Sequence, residues 1–163
     1  MKRPEDCTGV PGAFLSMLDD IEKCRAAGFL RPALTMALCV PDFCRKRIGK
    51  SYKYAEWCKT YGGFLLQRFA NELYDVRNSA VHEMTPRMSC LLDFSKEAAR
   101  PFPVQVTCVS LPVKYQTINA GALIAELLAA GRTFYEKSGD DLRDHLDTVD
   151  DYFIEDVSEL FWV

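Results

Sequence analysis

The pattern that most limits how this chain can fold runs through residues 64–84. Leu66, Phe69, Leu73, Val76, Ala80 and Met84 recur every three or four residues. At about 100° per residue that spacing places all six along one side of an α-helix, whereas a strand would repeat its apolar side chains every second residue. The segment therefore reads as an amphipathic helix, and its clean stripe marks it as the central one. Thr85 and Pro86 stop it, because proline cannot continue a helical hydrogen-bond ladder.

Other segments repeat the same periodicity. Residues 13–27 carry Phe14, Met17, Leu18, Ile21 and Cys24 on one face, with Asp19, Asp20, Glu22 and Lys23 on the others, and Gly28 is placed to cap the end. A second helix is expected over 31–47, with Leu30, Leu34, Ala37 and Leu38 buried and Pro32 tolerated in its first turn. Pro41 predicts a kink or a break near residues 39–42. Ser51 is placed to cap a short helix over 52–61, whose Tyr54, Trp57 and Tyr61 read as core in preference to base-stacking residues. Asn119 is placed to cap a helix over 120–137 with the stripe Leu123, Leu127, Ala130 and Phe134, ended by Gly139. Between these helices, the β-formers of 88–94 and 104–111 flank a polar segment and predict a small β-hairpin after the 64–84 helix.

The expected fold class is mainly α. A chain of 163 residues with 48% hydrophobic content supports one core, so a single domain over 1–163 is expected, with its core in 13–138. The apolar run at 120–130 is interrupted by Gly121 and Glu126 and falls short of the ~20 residues that span a bilayer. The N-terminal residues continue into acids and prolines where a signal peptide would have an apolar core. These features predict a cytoplasmic protein with no membrane partner. Seven scattered cysteines, an odd number without a CxxC pair, predict reduced thiols. Cys39 and Cys44 lack a nearby histidine, and no Walker loop or dinucleotide fingerprint occurs, so neither a metal nor a cofactor is expected.

Charge is divided unevenly. Residues 1–138 hold 19 Lys and Arg against 14 Asp and Glu, a balance of +5, while 139–163 hold one against nine, a balance of −8; together they give the net −3. The acidic end keeps Leu142, Leu146, Val149, Phe153, Val157 and Leu160 at helical spacing, which predicts a docked amphipathic helix. Its charge also raises the reading that it shields the basic body. The densest basic run is Arg45, Lys46, Arg47, Lys50 and Lys53, the candidate RNA-binding set; the plain alternative is a solvated helix end.

The candidate catalytic residues are Arg77, Asn78 and His82, within NELYDVRNSAVHE at 71–83. On a helix Asn78 and His82 lie about 40° apart, turned away from the apolar stripe, while Arg77 lies about 140° from His82. One helix alone would not bring both onto a single phosphate, which implies a second subunit. Tyr74 and Val81 on the outer face suit such a contact. The other histidine, His145, stands among Asp141, Asp144 and Asp147 and reads as an exposed helix residue.

The spacing Arg77-Asn78-x-x-x-His82 resembles the Arg-x4-6-His signature of the HEPN superfamily. The similarity extends to ALTMALCVPD at 33–42, to Tyr54 and Trp57, and to LYDVRNSAVHE, so that residues 13–138 look like an uncharacterised bacterial group of that superfamily. The resemblance implies a HEPN-like helical bundle that homodimerises through its motif helices, and a metal-independent endoribonuclease acting on single-stranded RNA. It also implies a toxin or defence effector with a cognate inhibitor protein. In that reading His82 is general base or acid for attack of the ribose 2′-hydroxyl, Arg77 stabilises charge on the phosphate, and Asn78 orients one of them. Met84 stands where members paired with a small nucleotidyltransferase carry tyrosine, which argues against that pairing. The alternatives are a catalytically silent HEPN-like dimerisation and interaction module, and an unrelated helical regulator.

Overall fold

The structure, a computed structural model, describes residues 12–48, 52–82, 91–95, 104–107 and 114–147. In chain order they form α1 (Ala13–Ala26), α2 (Leu30–Ile48), α3 (Tyr54–Tyr61), α4 (Phe64–His82), β1 (Leu91–Asp93), β2 (Val104–Thr107), β3 (Lys114–Asn119), α5 (Ala120–Lys137) and α6 (Asp140–Asp147). The protein is mainly α. Ser51, Lys50, Met84, and Val149, Phe153, Val157 and Leu160 of the acidic stripe lie outside the described residues.

The predicted stripes are the buried faces. Phe14, Leu18 and Ile21 of α1 are buried, as are Leu34, Ala37 and Leu38 of α2, and Leu66, Phe69, Leu73, Val76 and Ala80 of α4. Gly28 closes α1 at φ 85°, a left-handed conformation open to glycine, and the Phe29 N–H then reaches back to the Cys24 carbonyl at 2.9 Å. Asn119 caps α5, its side-chain oxygen accepting from the Ala122 N–H at 3.0 Å. Helix α3 starts two residues later than expected, with Lys53 in the cap position and the Glu56 carboxylate accepting from its backbone N–H at 3.0 Å.

Four expectations need correction. Of the kink or break expected at Pro41, the break does not occur, since α2 runs continuously from Leu30 to Ile48. A proline in a helix costs about 3 kcal/mol through a lost hydrogen bond and a steric clash. The burial of Leu38, Val40 and Cys44 around it offsets that cost, and Tyr54 Oη donates to the Leu38 carbonyl at 2.8 Å just beside it.

The central helix is α5, not α4. Ten of its eighteen residues are buried, spread around the helix, because it is enclosed by α1, α2, α3, α4 and β3. Gly131 lets α1 and α2 pack close against α5, since a Cβ there would stand 3.1 Å from Val40 and 3.2 Å from Leu18.

The expected hairpin is a three-stranded sheet in the order β1-β3-β2. Residues 91–93 and 104–107 do not pair with each other; each pairs with β3, the first in parallel (Leu92↔Ile118) and the second antiparallel (Gln105↔Gln116). Strand β3 takes the middle because it continues directly into α5, and Ile118 buries itself in the core.

Gly139 does not itself end α5; the cap falls on Ser138, whose hydroxyl donates to the Phe134 carbonyl at 2.8 Å. The described part of the acidic segment, α6, packs on α1 and α2 with Leu146 fully buried. Arg143 fixes the corner by donating to the Tyr135 and Glu136 carbonyls at 3.1 and 2.8 Å, which satisfies the last turn of α5.

Candidate nucleic-acid interface

Asp42, buried in α2, collects three cations. Arg45 donates to its Oδ1 through Nε at 2.7 Å and approaches it through Nη2 at 2.5 Å. Lys46 Nζ stands 3.3 Å from Oδ2, and Arg77 reaches across from α4 to the same oxygen at 3.5 Å. One carboxylate against three cations leaves an excess of two positive charges within this cluster. Burial alone would push the Asp42 carboxyl up; the hydrogen bond from Arg45 and the charges of Lys46 and Arg45 outweigh it and hold the group below its ordinary range.

The three cations differ in what they leave open. All three nitrogens of Arg45 are engaged, with Nη1 donating to the Tyr52 carbonyl at 3.4 Å. Arg77 is turned inward with 21% of its side chain exposed; Nη1 donates to Asn78 Oδ1 at 3.0 Å, and its buried Nε has no partner among the described residues. Lys46 is paired with Asp42 but is 64% exposed, so its ammonium remains open to water. The Cys39 thiol lies within this group, raised by burial and drawn back by the neighbouring Arg77 charge.

The structure thus joins Arg45 and Lys46 of the basic run with Arg77 of the motif, a grouping that neither stretch of sequence shows by itself. Asn78 is half-buried beside Arg77. His82 is exposed at the last residue of α4 and is not among the partners of Asp42. Lys53 is exposed at the start of α3, apart from the Asp42 contacts. The Arg47 side chain and Lys50 lie outside what the structure describes. Tyr54 and Trp57 are buried, in keeping with a core role.

Tyr74 flanks the cluster. It is 40% exposed, its ring centroid 5.6 Å from that of Tyr54 and 6.0 Å from the Arg45 guanidinium.

Sequence reading missed Asp42 as the organising group. Its signal was present within α2, since Asp42 precedes Arg45 by three and Lys46 by four, the spacings at which helical side chains meet. No local pattern announces the contact with Arg77.

No family model, curated protein or solved structure matches this chain. Among the described residues, no helix is long and apolar enough to cross a membrane.

Proposed function

We propose that the protein is a HEPN-like, metal-independent endoribonuclease that cleaves single-stranded RNA as a homodimer. One observation carries the reading: an exposed imidazole, His82, ends the same helix that ties Arg77 and Asn78 into a cluster with excess positive charge. An exposed imidazole can exchange protons with a bound substrate, and a cationic neighbourhood attracts a phosphodiester.

The chemistry follows from those groups. A neutral His82 takes the proton of a ribose 2′-hydroxyl, and the 2′-oxygen forms a bond to the adjacent phosphorus. The bond from phosphorus to the 5′-oxygen breaks, and the leaving oxygen takes a proton from an imidazolium, supplied by the partner's His82. The products are a 2′,3′-cyclic phosphate and a 5′-hydroxyl. Arg77 and Lys46 balance the charge that builds on the phosphate oxygens, and Asn78 holds the Arg77 guanidinium in place. The dimer addresses the angular separation of Arg77 and His82 on one helix, because Arg77 of one subunit complements His82 of the other.

Purified protein incubated with single-stranded RNA and chelator tests this. Cleavage that disappears in both His82→Ala and Arg77→Ala supports the enzyme, and cleavage that survives either substitution defeats the assigned roles.

A second reading is favoured by the inward turn of Arg77. Its guanidinium is occupied by Asp42 and Asn78, as a purely structural link between α2 and α4 would be. In that reading the protein is a silent interaction module, and the assay yields intact RNA with every variant. A cognate inhibitor and a role in toxicity or defence belong to the enzyme reading alone.

A further inference from the structure

We propose that Tyr74 is a base-stacking subsite for single-stranded RNA, placed two helical turns before His82. The inference rests on the ribonuclease reading above and adds to it the surface that positions the strand. Tyr74, Asn78 and His82 follow one another at intervals of four residues. On a helix each step turns about 40° and rises about 6 Å, so the three side chains form one gently winding ridge along α4. An aromatic ring, an amide and an imidazole in that order offer a stacking surface, a hydrogen-bonding group and a proton-transfer group to successive parts of one extended strand.

Tyr74 is the aromatic of the C-terminal half of α4 and is left 40% exposed; Phe69 is buried, and Phe64, 48% exposed, lies at the far end of the helix from His82. Its ring is nevertheless held in place. Tyr54 packs against it at 5.6 Å, and Tyr54 is itself fixed by its hydrogen bond to the Leu38 carbonyl. Arg45 approaches the ring at 6.0 Å while anchored to Asp42 and the Tyr52 carbonyl. A ring fixed in advance loses little entropy when a base stacks on it. The charge beside it suits the rest of a nucleotide, because Lys46 and Arg77 share one carboxylate with Arg45 and leave an excess of two positive charges for a phosphate. Exposed Asp75 sits about 100° round the helix from Tyr74 and is therefore off the ridge.

The test uses the full chain carrying His82→Ala, with chelator, to suppress cleavage. Binding of a fluorescein-labelled single-stranded RNA is followed by anisotropy, alongside an abasic ribose-phosphate oligomer of the same length. Adding Tyr74→Ala weakens RNA binding by roughly ten-fold, the scale of one stacked base. Tyr74→Phe retains it. The preference for RNA over the abasic oligomer shrinks with Tyr74→Ala, while the salt dependence stays the same because phosphate contacts are untouched. If RNA binds but Tyr74→Ala changes neither affinity nor that preference, the subsite is wrong and the ribonuclease reading stands. If Tyr74→Ala instead splits a dimer in sedimentation, Tyr74 is a subunit contact and the subsite is again wrong. RNA binding absent from every variant overturns both.

Discussion

The Asp42 carboxylate and the Arg77 guanidinium meet across α2 and α4 at 3.5 Å, although thirty-five residues separate them in sequence. The distance is longer than the 2.5 and 2.7 Å that join Asp42 to Arg45, so Asp42 is held mainly by its own helix and offers its second oxygen to the other. Replacing it by alanine leaves two half-buried arginines without their counter-charge. The expected loss of folding stability is about 2–4 kcal/mol, below that of a sealed pair because both arginines keep some contact with water. Asp42→Asn keeps an acceptor and should lose less. Urea unfolding measures both, and an alanine variant as stable as the parent would mean that the cluster is merely a surface arrangement.

The same carboxyl sets a pH dependence. Asp42 titrates below its ordinary value in the folded protein, so the folded state binds its proton less tightly than the unfolded state does. Its contribution is complete above the unfolded pKa of about 3.9 and disappears as pH falls through the folded value. The melting temperature should therefore drop as pH is lowered below about 4. In Asp42→Asn that part of the drop should be absent, so the curves of parent and variant converge toward acid. Parallel curves would contradict the assignment.

Helices were legible in the sequence where one face meets water, and that explains the misplaced centre. Leu66, Phe69, Leu73, Val76 and Ala80 stand out because the opposite side of α4 is mostly polar, Tyr74 and Val81 apart, which is the mark of a helix at the edge of the bundle. Helix α5 has Ala122, Ile124 and Leu128 buried as well as its predicted stripe, so enclosure on several sides blurs the very periodicity that would announce it. Pairing in the sheet was illegible for another reason. The alternation of 104–107 says that a strand forms but not which strand it finds, and β3 competes through its covalent link to α5. In the candidate site, Asp42 with Arg45 and Lys46 was readable as helical spacing, whereas Arg77 joins only through tertiary packing.

Glu126 looked like an interruption of an apolar run and is a cap instead. From α5 its carboxylate accepts the backbone N–H groups of Leu65 and Leu66 at 3.0–3.2 Å, satisfying donors in the first turn of α4 that have no helical partner. A carboxylate at a helix N-terminus also interacts well with the helix dipole. Glu126→Ala should cost about 1–2 kcal/mol, as loss of a capping side chain does. Amide exchange should rise first at residues 65–68 and leave α5 protected. A uniform rise across both helices would show that Glu126 supports the core generally and not this one helix end.

Three glycines order themselves by what surrounds them. Gly62 has a φ of −83°, a backbone that any residue adopts, yet a Cβ there would overlap the Cys58 carbonyl oxygen and the Leu66 side chain where α3 turns into α4. Gly62→Ala should therefore lose about 1–3 kcal/mol or more through overpacking. At Gly63 a Cβ would come within 3.0 Å of the Glu126 carboxylate carbon, so alanine there should displace the cap and cost about as much as losing it, some 1–2 kcal/mol. Gly139 has nothing within 4 Å and no positive φ, so alanine should be neutral or stabilise by about 0.5 kcal/mol through the unfolded chain. Calorimetric melting should rank the variants Gly139→Ala, then Gly63→Ala, then Gly62→Ala. Because the α3–α4 turn sets the direction in which α4 presents Tyr74, Asn78 and His82, Gly62→Ala should also reduce any RNA binding out of proportion to Gly139→Ala. Equal melting of all three would mean that the turn accepts a side chain freely and does not fix the helix that carries the candidate site.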